Sequence, residues 1–204
     1  MPRSDVPKKS TKNKPVRVYD NTARAQKSVE TQKKIIDTLV QLLVEKRGGE
    51  VPMEELAIRS GITQRSIFRF FKDKKSLHEA MDRYLLSYLQ AGNQTMQDLD
   101  FVGFGRNTFQ LFDQHQDLTI AYILSPFGHE ARTLLRKKLV QSMIAKIVHE
   151  KKLVMSPERM KRLALVTSLV NAKIWYDLKN DFGFTGSDMG NAVEWALKTL
   201  IEKI

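Results

Sequence analysis

The 204-residue chain has no cysteine. That excludes disulfides, thiolate catalysis, thiol-based redox sensing and Cys-ligated zinc or iron–sulfur sites. Histidine is scarce as well. The four, at 78, 115, 129 and 149, lack close ligand spacing, so neither a metal site nor a cofactor is expected. Ten glycines and six prolines are few for the many turns of a large sheet enzyme. No apolar run approaches the eighteen or so residues of a membrane span, and Met1-Pro2-Arg3-Ser4-Asp5 leads into no apolar stretch, so neither a span nor a signal peptide is expected. The expectation is a soluble, cytoplasmic protein. Its 42% apolar content is ample for a buried core, which argues against wholesale disorder.

What the chain does have is positive charge, unevenly spread. Of the net +11, residues 1–27 carry +6, residues 28–75 carry +3 and residues 76–204 only +2. A polyanion partner near the N-terminus fits that gradient better than a uniformly basic fold does. Residues 1–26 read as a flexible basic arm, since Lys8, Lys9, Lys12, Lys14 and Arg17 sit among Pro, Ser, Thr and Asn with little to bury. Such an arm suits phosphate or minor-groove contacts, and a merely solubilising tail is the plainer alternative.

Apolar periodicity predicts helices throughout and no sheet. The first, over 27–46, carries Ile35, Ile36, Leu39, Val40, Leu43 and Val44 on one side and stops at Gly48-Gly49. Short helices follow over 52–60 and 64–71, then a longer one over 74–91. Beyond it, helices are expected over 98–115, 116–124 and 128–151, from Pro157 through Leu178, and from about Thr185 to the end. The fold class is therefore all-α, with units over 27–75 and 76–204.

Residues 33–75 have helix-turn-helix spacing: two short helices joined through Gly61-Ile62-Thr63 behind a longer amphipathic one. Leu56, Ala57, Ile62, Ile67 and Phe71 supply the inward side. Gln64, Arg65, Ser66 and Arg69 lie at the leading end of the second short helix, where side chains reach base edges in a major groove. An arginine there can take guanine O6 and N7 together, and Gln64 can pair with adenine. Lys72, Lys74 and Lys75 beside a helix start suit phosphate. A solvated face on a simple packing unit would show similar residues.

Gly61-Ile62-Thr63-Gln64-Arg65-Ser66-Ile67-Phe68-Arg69-Phe70-Phe71-Lys72-Asp73-Lys74-Lys75-Ser76-Leu77 resembles the recognition segment of the TetR family of bacterial transcriptional regulators. In that segment Gly-Val-Ser, a small polar pair, Leu-Tyr, an aromatic pair and Lys-x-Lys-x-x-Leu follow in order. The match runs over 35–84, and the remainder agrees only in length and helical layout. The resemblance implies three N-terminal DNA-binding helices, a linking helix, and a helical ligand-binding and dimerisation domain. It implies base contacts from Gln64, Arg65, Ser66 and Arg69, and phosphate contacts from Thr63, Lys72, Lys74 and the place held by Phe68. The family usually has tyrosine there, and phenylalanine has no hydroxyl to donate. Val51 likewise stands where a capping Thr or Ser is common.

Two further expectations concern 76–204. Phe104, Phe109, Phe112, Tyr122, Met143 and Trp175 are candidates to line a pocket for a hydrophobic small-molecule effector, or else simply fill the core. Leu163, Val166, Val170 and Ile174, with Val193, Leu197, Leu200 and Ile204, form two apolar stripes suited to a four-helix homodimer interface. Catalysis is not expected, because Asp177, Asp181, Glu194 and His149 show neither paired-carboxylate spacing nor a nucleophile with a base. The reading is thus a ligand-responsive, sequence-specific transcriptional regulator, a repressor acting as a homodimer at a palindromic double-stranded operator, with no membrane partner. The alternative is an architectural or non-specific nucleic-acid binder without an effector, or one that stacks single strands on Phe68 and Phe70.

Overall fold

A computed structural model describes residues 21–92, 100–127 and 129–204, and these form ten helices with no strand among the described residues. Helix α1 (Asn21–Glu45) leads into α2 (Met53–Ser60), α3 (Gln64–Phe70) and the long α4 (Lys74–Gly92). After them come α5 (Phe101–Gln114), α6 (Gln116–Leu124), α7 (His129–Lys151), α8 (Pro157–Ser168), α9 (Ala172–Phe182) and α10 (Gly186–Glu202). None of the described helices is long and apolar enough to cross a membrane.

Two boundaries differ from those expected. Helix α1 starts at Asn21, ahead of 27, so residues 21–26 belong to the helix and not to the arm. Arg24, Ala25 and Gln26 are good helix formers, and Gln26 bonds Glu30 one turn on at 3.1 Å. The remainder of the proposed arm, 1–20, lies outside the described residues. The single helix expected from Pro157 through Leu178 is in fact α8 and α9. Asn171 breaks it, taking an extended conformation in which its side chain accepts from the Lys173 N–H at 2.8 Å and caps a new helix. Apolar periodicity runs straight across such a restart.

Local signals explain the other ends. Gly61 closes α2 with φ 66°, a conformation that costs glycine little, and Ile62 N–H reaches Ala57 O at 3.1 Å across the turn. Ser156 and Pro157 open α8 as a cap and first-turn proline, and Thr185 with Asp188 forms a capping box on α10. Helix α2 has Pro52 at its cap and no side-chain bond, while Val51 is buried and anchors the entry instead.

Two apolar cores result. One gathers Ile35, Leu39, Leu42 and Leu43 of α1 with Leu56, Ile67, Phe71, Leu77, Met81 and Leu85, and it also takes Leu118 and Ala121 from α6. The other gathers Phe101, Phe109, Phe112, Met143, Ile147, Leu163, Val166, Trp175, Met189, Val193 and Leu197. Helices α5 and α10 run antiparallel at its centre. Gly105 lies beneath Leu197 and Val193, Gly190 beneath Arg106, and Gly186 beneath Asp113, and the small side chains let the two axes approach closely.

Candidate nucleic-acid interface

Helix α3 is held from behind and open in front. Ile67, with no exposed surface, anchors it in the first core, and Thr63 caps it by accepting from the Ser66 N–H at 3.3 Å. With Ile67 inward, a turn of 100° per residue sends Arg65 and Arg69 outward together, flanked by Gln64 and Phe68. All four are exposed. Neither arginine makes an ion pair among the described residues, and Arg69 lies over the Phe70 ring at 5.2 Å. That contact stiffens the side chain without neutralising its charge.

The expected contacts fare unequally. Ser66 is half-buried, and its hydroxyl accepts from Thr63 Oγ1 at 3.1 Å, a bond that orients the group while leaving its own O–H to donate. Thr63 is correspondingly committed to its cap. Lys72 is exposed, but Lys74 is tied to Glu50 at 3.0 Å. The start of α4 is partly capped: Asp73 Oδ1 accepts from the Ser76 N–H at 2.7 Å, while Asp73 N–H donates to Ser76 Oγ at 3.0 Å. These bonds hold the Asp73 carboxyl below its ordinary range. A phosphate would meet a carboxylate there, so the cationic surface rests on Lys72 and Lys75. Phe68 is 43% exposed, an apolar ring where a hydroxyl was lacking from the start.

The residues assigned to an effector do not come together as one group. Phe109, Phe112, Met143 and Trp175 are buried in the second core, with Phe112 6.1 Å from both the Phe109 and Trp175 rings. Phe104 packs on its margin. Tyr122 instead joins the first core and lies beneath the Arg132 guanidinium at 5.0 Å. One polar atom stands out: Trp175 Nε1 is buried without a hydrogen-bond partner.

The dimerisation stripes need correction. Leu163, Val166, Val193 and Leu197 are buried within the chain, and Val170, Ile174 and Ile204 pack against the same core. Leu200 stays partly open. The inner side of α10 is covered by α5, and α8 meets the C-terminal end of α10, where Arg159 donates to Ile204 O at 3.1 Å and Arg162 to Lys203 O at 3.3 Å. The outward sides of α8 and α10 expose Leu165 at 61% and Trp195 at 70%, which the apolar-stripe reading passed over because each falls off the stripe of its helix. Of the candidates for acid-base work, Asp177 pairs with Lys173, and Glu194 with Lys198 and Arg106.

Sequence reading also missed a buried polar cluster. His78 and Asp82, four apart on the inward side of α4, sit beside α6 and α7: His78 Nδ1 meets Ser125 Oγ at 2.7 Å, and Asp82 lies 3.8 Å from Arg132. Arg132 also donates to Tyr122 O and to Ser125 O, closing the end of α6. Burial, with Arg132 and Lys74 nearby, holds the His78 imidazole down to about 4, and burial raises Asp82 to about 6. The signal was present, since Leu77, Met81 and Leu85 share that side of the helix.

No family model matches the chain, and no curated protein matches it in sequence. Its fold does match solved structures. A TetR-like transcriptional regulator from Rhodococcus sp. RHA1 superposes with a TM-score of 0.60 over 85% of this chain and 94% of its own, at 12% identity. The TetR family transcriptional regulator PfmR from Thermus thermophilus gives 0.60 over 82% and 93%, at 14% identity. The likeness is one of fold.

Proposed function

We propose that the chain is a TetR-type transcriptional regulator that binds a palindromic DNA operator as a homodimer and represses transcription until an effector releases it. The observation that carries this reading is the α3 face, where Arg65 and Arg69 project together from a capped helix with no acidic partner among the described residues. The match in overall fold supports it. In this reading α2 and α3 form the helix-turn-helix, Gln64, Arg65 and Arg69 read bases, and Lys72, Lys75 and the basic segment 1–20 neutralise phosphates.

One α3 presents too small a surface for tight, specific binding, and a two-fold pair reaches half-sites about 34 Å apart or a multiple of that. The dimer face is the outward side of α8 and α10, which includes Leu165 and Trp195, because large apolar side chains left exposed on neighbouring helices are what a partner helix pair covers. The effector enters the second core. There the orphaned Trp175 Nε1–H calls for an acceptor oxygen, which an otherwise apolar ligand bearing a carbonyl or ether would bring.

Selection of bound sites from random duplexes, followed by sequencing, tests the reading: a two-fold symmetric motif is expected. Arg65→Ala or Arg69→Ala should then cost about 1–3 kcal/mol at one symmetric pair of base positions. Equal loss on every duplex would reduce both arginines to phosphate contacts and leave non-specific binding as the function.

A further inference from the structure

A cleft of about 500 Å³ opens where α1, α4 and the α5–α6 junction meet, a size suited to small ligands. Its lining includes the carboxylates of Asp37 and Asp117 and contains no lysine or arginine, on a chain with 34 basic residues against 23 acidic ones. Lys33 neutralises Asp37 at 2.8 Å. Asp117, exposed in the first turn of α6, makes no ion pair or hydrogen bond among the described residues. Beside the carboxylates stands an aromatic array: Tyr88 stacks on His115 at 3.9 Å and meets Tyr84 edge-on at 5.1 Å. The Tyr88 hydroxyl donates to Tyr84 Oη at 3.0 Å, so the two rings are fixed relative to each other.

We propose that this cleft binds a small aromatic organic cation of the amidinium or arylammonium class. The π faces favour a flat cationic ring, and the free Asp117 carboxylate accepts charge-assisted hydrogen bonds from its N–H groups. An anion would meet uncompensated negative charge. One wall belongs to α1, which packs on α2 and shares the first core with α3, and the other to α4, α5 and α6. A ligand touching both walls favours whichever arrangement it fits, and so biases the placement of α3. That last consequence rests on the DNA-binding reading, whereas the binding itself does not.

Calorimetric titration of the full chain with benzamidinium tests the site, with benzamide as its neutral counterpart and acetamidinium as a cation without the ring. Benzamidinium is expected to bind with a dissociation constant of about 1 mM, and both controls about tenfold more weakly. Asp117→Asn, at an exposed position, should weaken benzamidinium by about tenfold with an unchanged melting temperature, while Asp181→Asn binds as the unaltered chain does. Equal affinity for benzamide, undiminished binding by Asp117→Asn, or no heat at all overturns the proposal. Repeating the operator titration with benzamidinium present separates the two readings. An affinity shift that Asp117→Asn abolishes supports the coupling, and no shift despite calorimetric binding removes it. Failure of site selection from random duplexes counts against DNA recognition alone.

Discussion

The buried pair on α4 makes an unusual prediction about acid stability. The two groups, both nearly closed to solvent, titrate in opposite senses on folding. His78, ordinarily at 6.5, is held to about 4, so the folded state resists its protonation. Stability from this group is complete above 6.5 and is lost as the pH falls toward 4. Asp82, ordinarily at 3.8, is raised to about 6, so the folded state takes up a proton first. Its contribution runs the other way: stability is gained as the pH falls through 6 toward 3.8. Either full interval corresponds to about 3 kcal/mol, and between about pH 7 and pH 5 the histidine loses about 2 kcal/mol while the aspartate returns about 1. The charged groups that shape these values, Arg132, Lys74, Glu79 and Arg83, are common to every variant compared. The unaltered chain should therefore show only a shallow loss from this cluster. Asp82→Asn keeps the side-chain shape but removes the compensation, so over that interval it should lose about 1 kcal/mol more than the unaltered chain. His78→Gln should reverse the slope, gaining about 1 kcal/mol over the interval and so ending about 2 kcal/mol better than the unaltered chain. Urea unfolding followed by far-ultraviolet circular dichroism at the two pH values measures both. If all three proteins share one pH dependence, the opposed titration is wrong.

Three other outcomes are expected. Gly105→Ala would place a Cβ 2.5 Å from Leu197 Cδ1 and 3.3 Å from both Val170 and Val193; overpacking a buried seam by about 1–3 kcal/mol should exceed the roughly 1 kcal/mol gained in helix propensity. Calorimetry should show a melting temperature lower by about 2–6 °C, and a rise would mean that α5 and α10 part more easily than their contacts indicate. Trp195→Glu should yield helical monomers of 23.5 kDa in sedimentation equilibrium where the unaltered chain gives twice that mass, and an unchanged dimer would move the interface elsewhere. A chain starting at Asn21 lacks six basic residues, and each phosphate contact so removed should flatten the log–log salt dependence of operator binding by about 0.9. An unchanged slope would make the segment a solubilising tail.

Helix class and order were legible because each element has its own punctuation: Gly61, Thr63, Ser156-Pro157 and Thr185 all act as caps or stops. The inward side of α3 was legible for the same reason, since Ile67 fixes the rotation that turns Arg65 and Arg69 outward. Periodicity failed wherever a residue had two possible uses. Asn171 reads as a polar interruption in an apolar stripe, and only its bond to the Lys173 N–H makes it a helix start. Leu163 and Leu197 read as interface because apolar stripes state that something must cover them, not which chain does so. Asp73 and Lys74 follow closely on Arg69 in the chain, yet their partners Ser76 and Glu50 decide how much charge they present. The Asp37, Tyr84, Tyr88 and Asp117 cleft depends on contacts between separated helices, which no local window contains.

The first core does not end where the sequence places a domain boundary. Leu118 and Ala121 of α6 belong to the same buried cluster as Leu39, Ile67 and Leu77, so a cut after residue 75 would strip apolar surface from both pieces. For protein engineering, this means that residues 27–75 are not a transferable cassette. A chimera that grafts this α3 onto another helical body would have to carry α4 and α6 with it, or supply a substitute for their inward side chains. The same continuity constrains substitution: changes on the exposed face of α3 leave the first core untouched, whereas any that rotate the helix about Ile67 must be accommodated as far along the chain as Leu118 and Ala121.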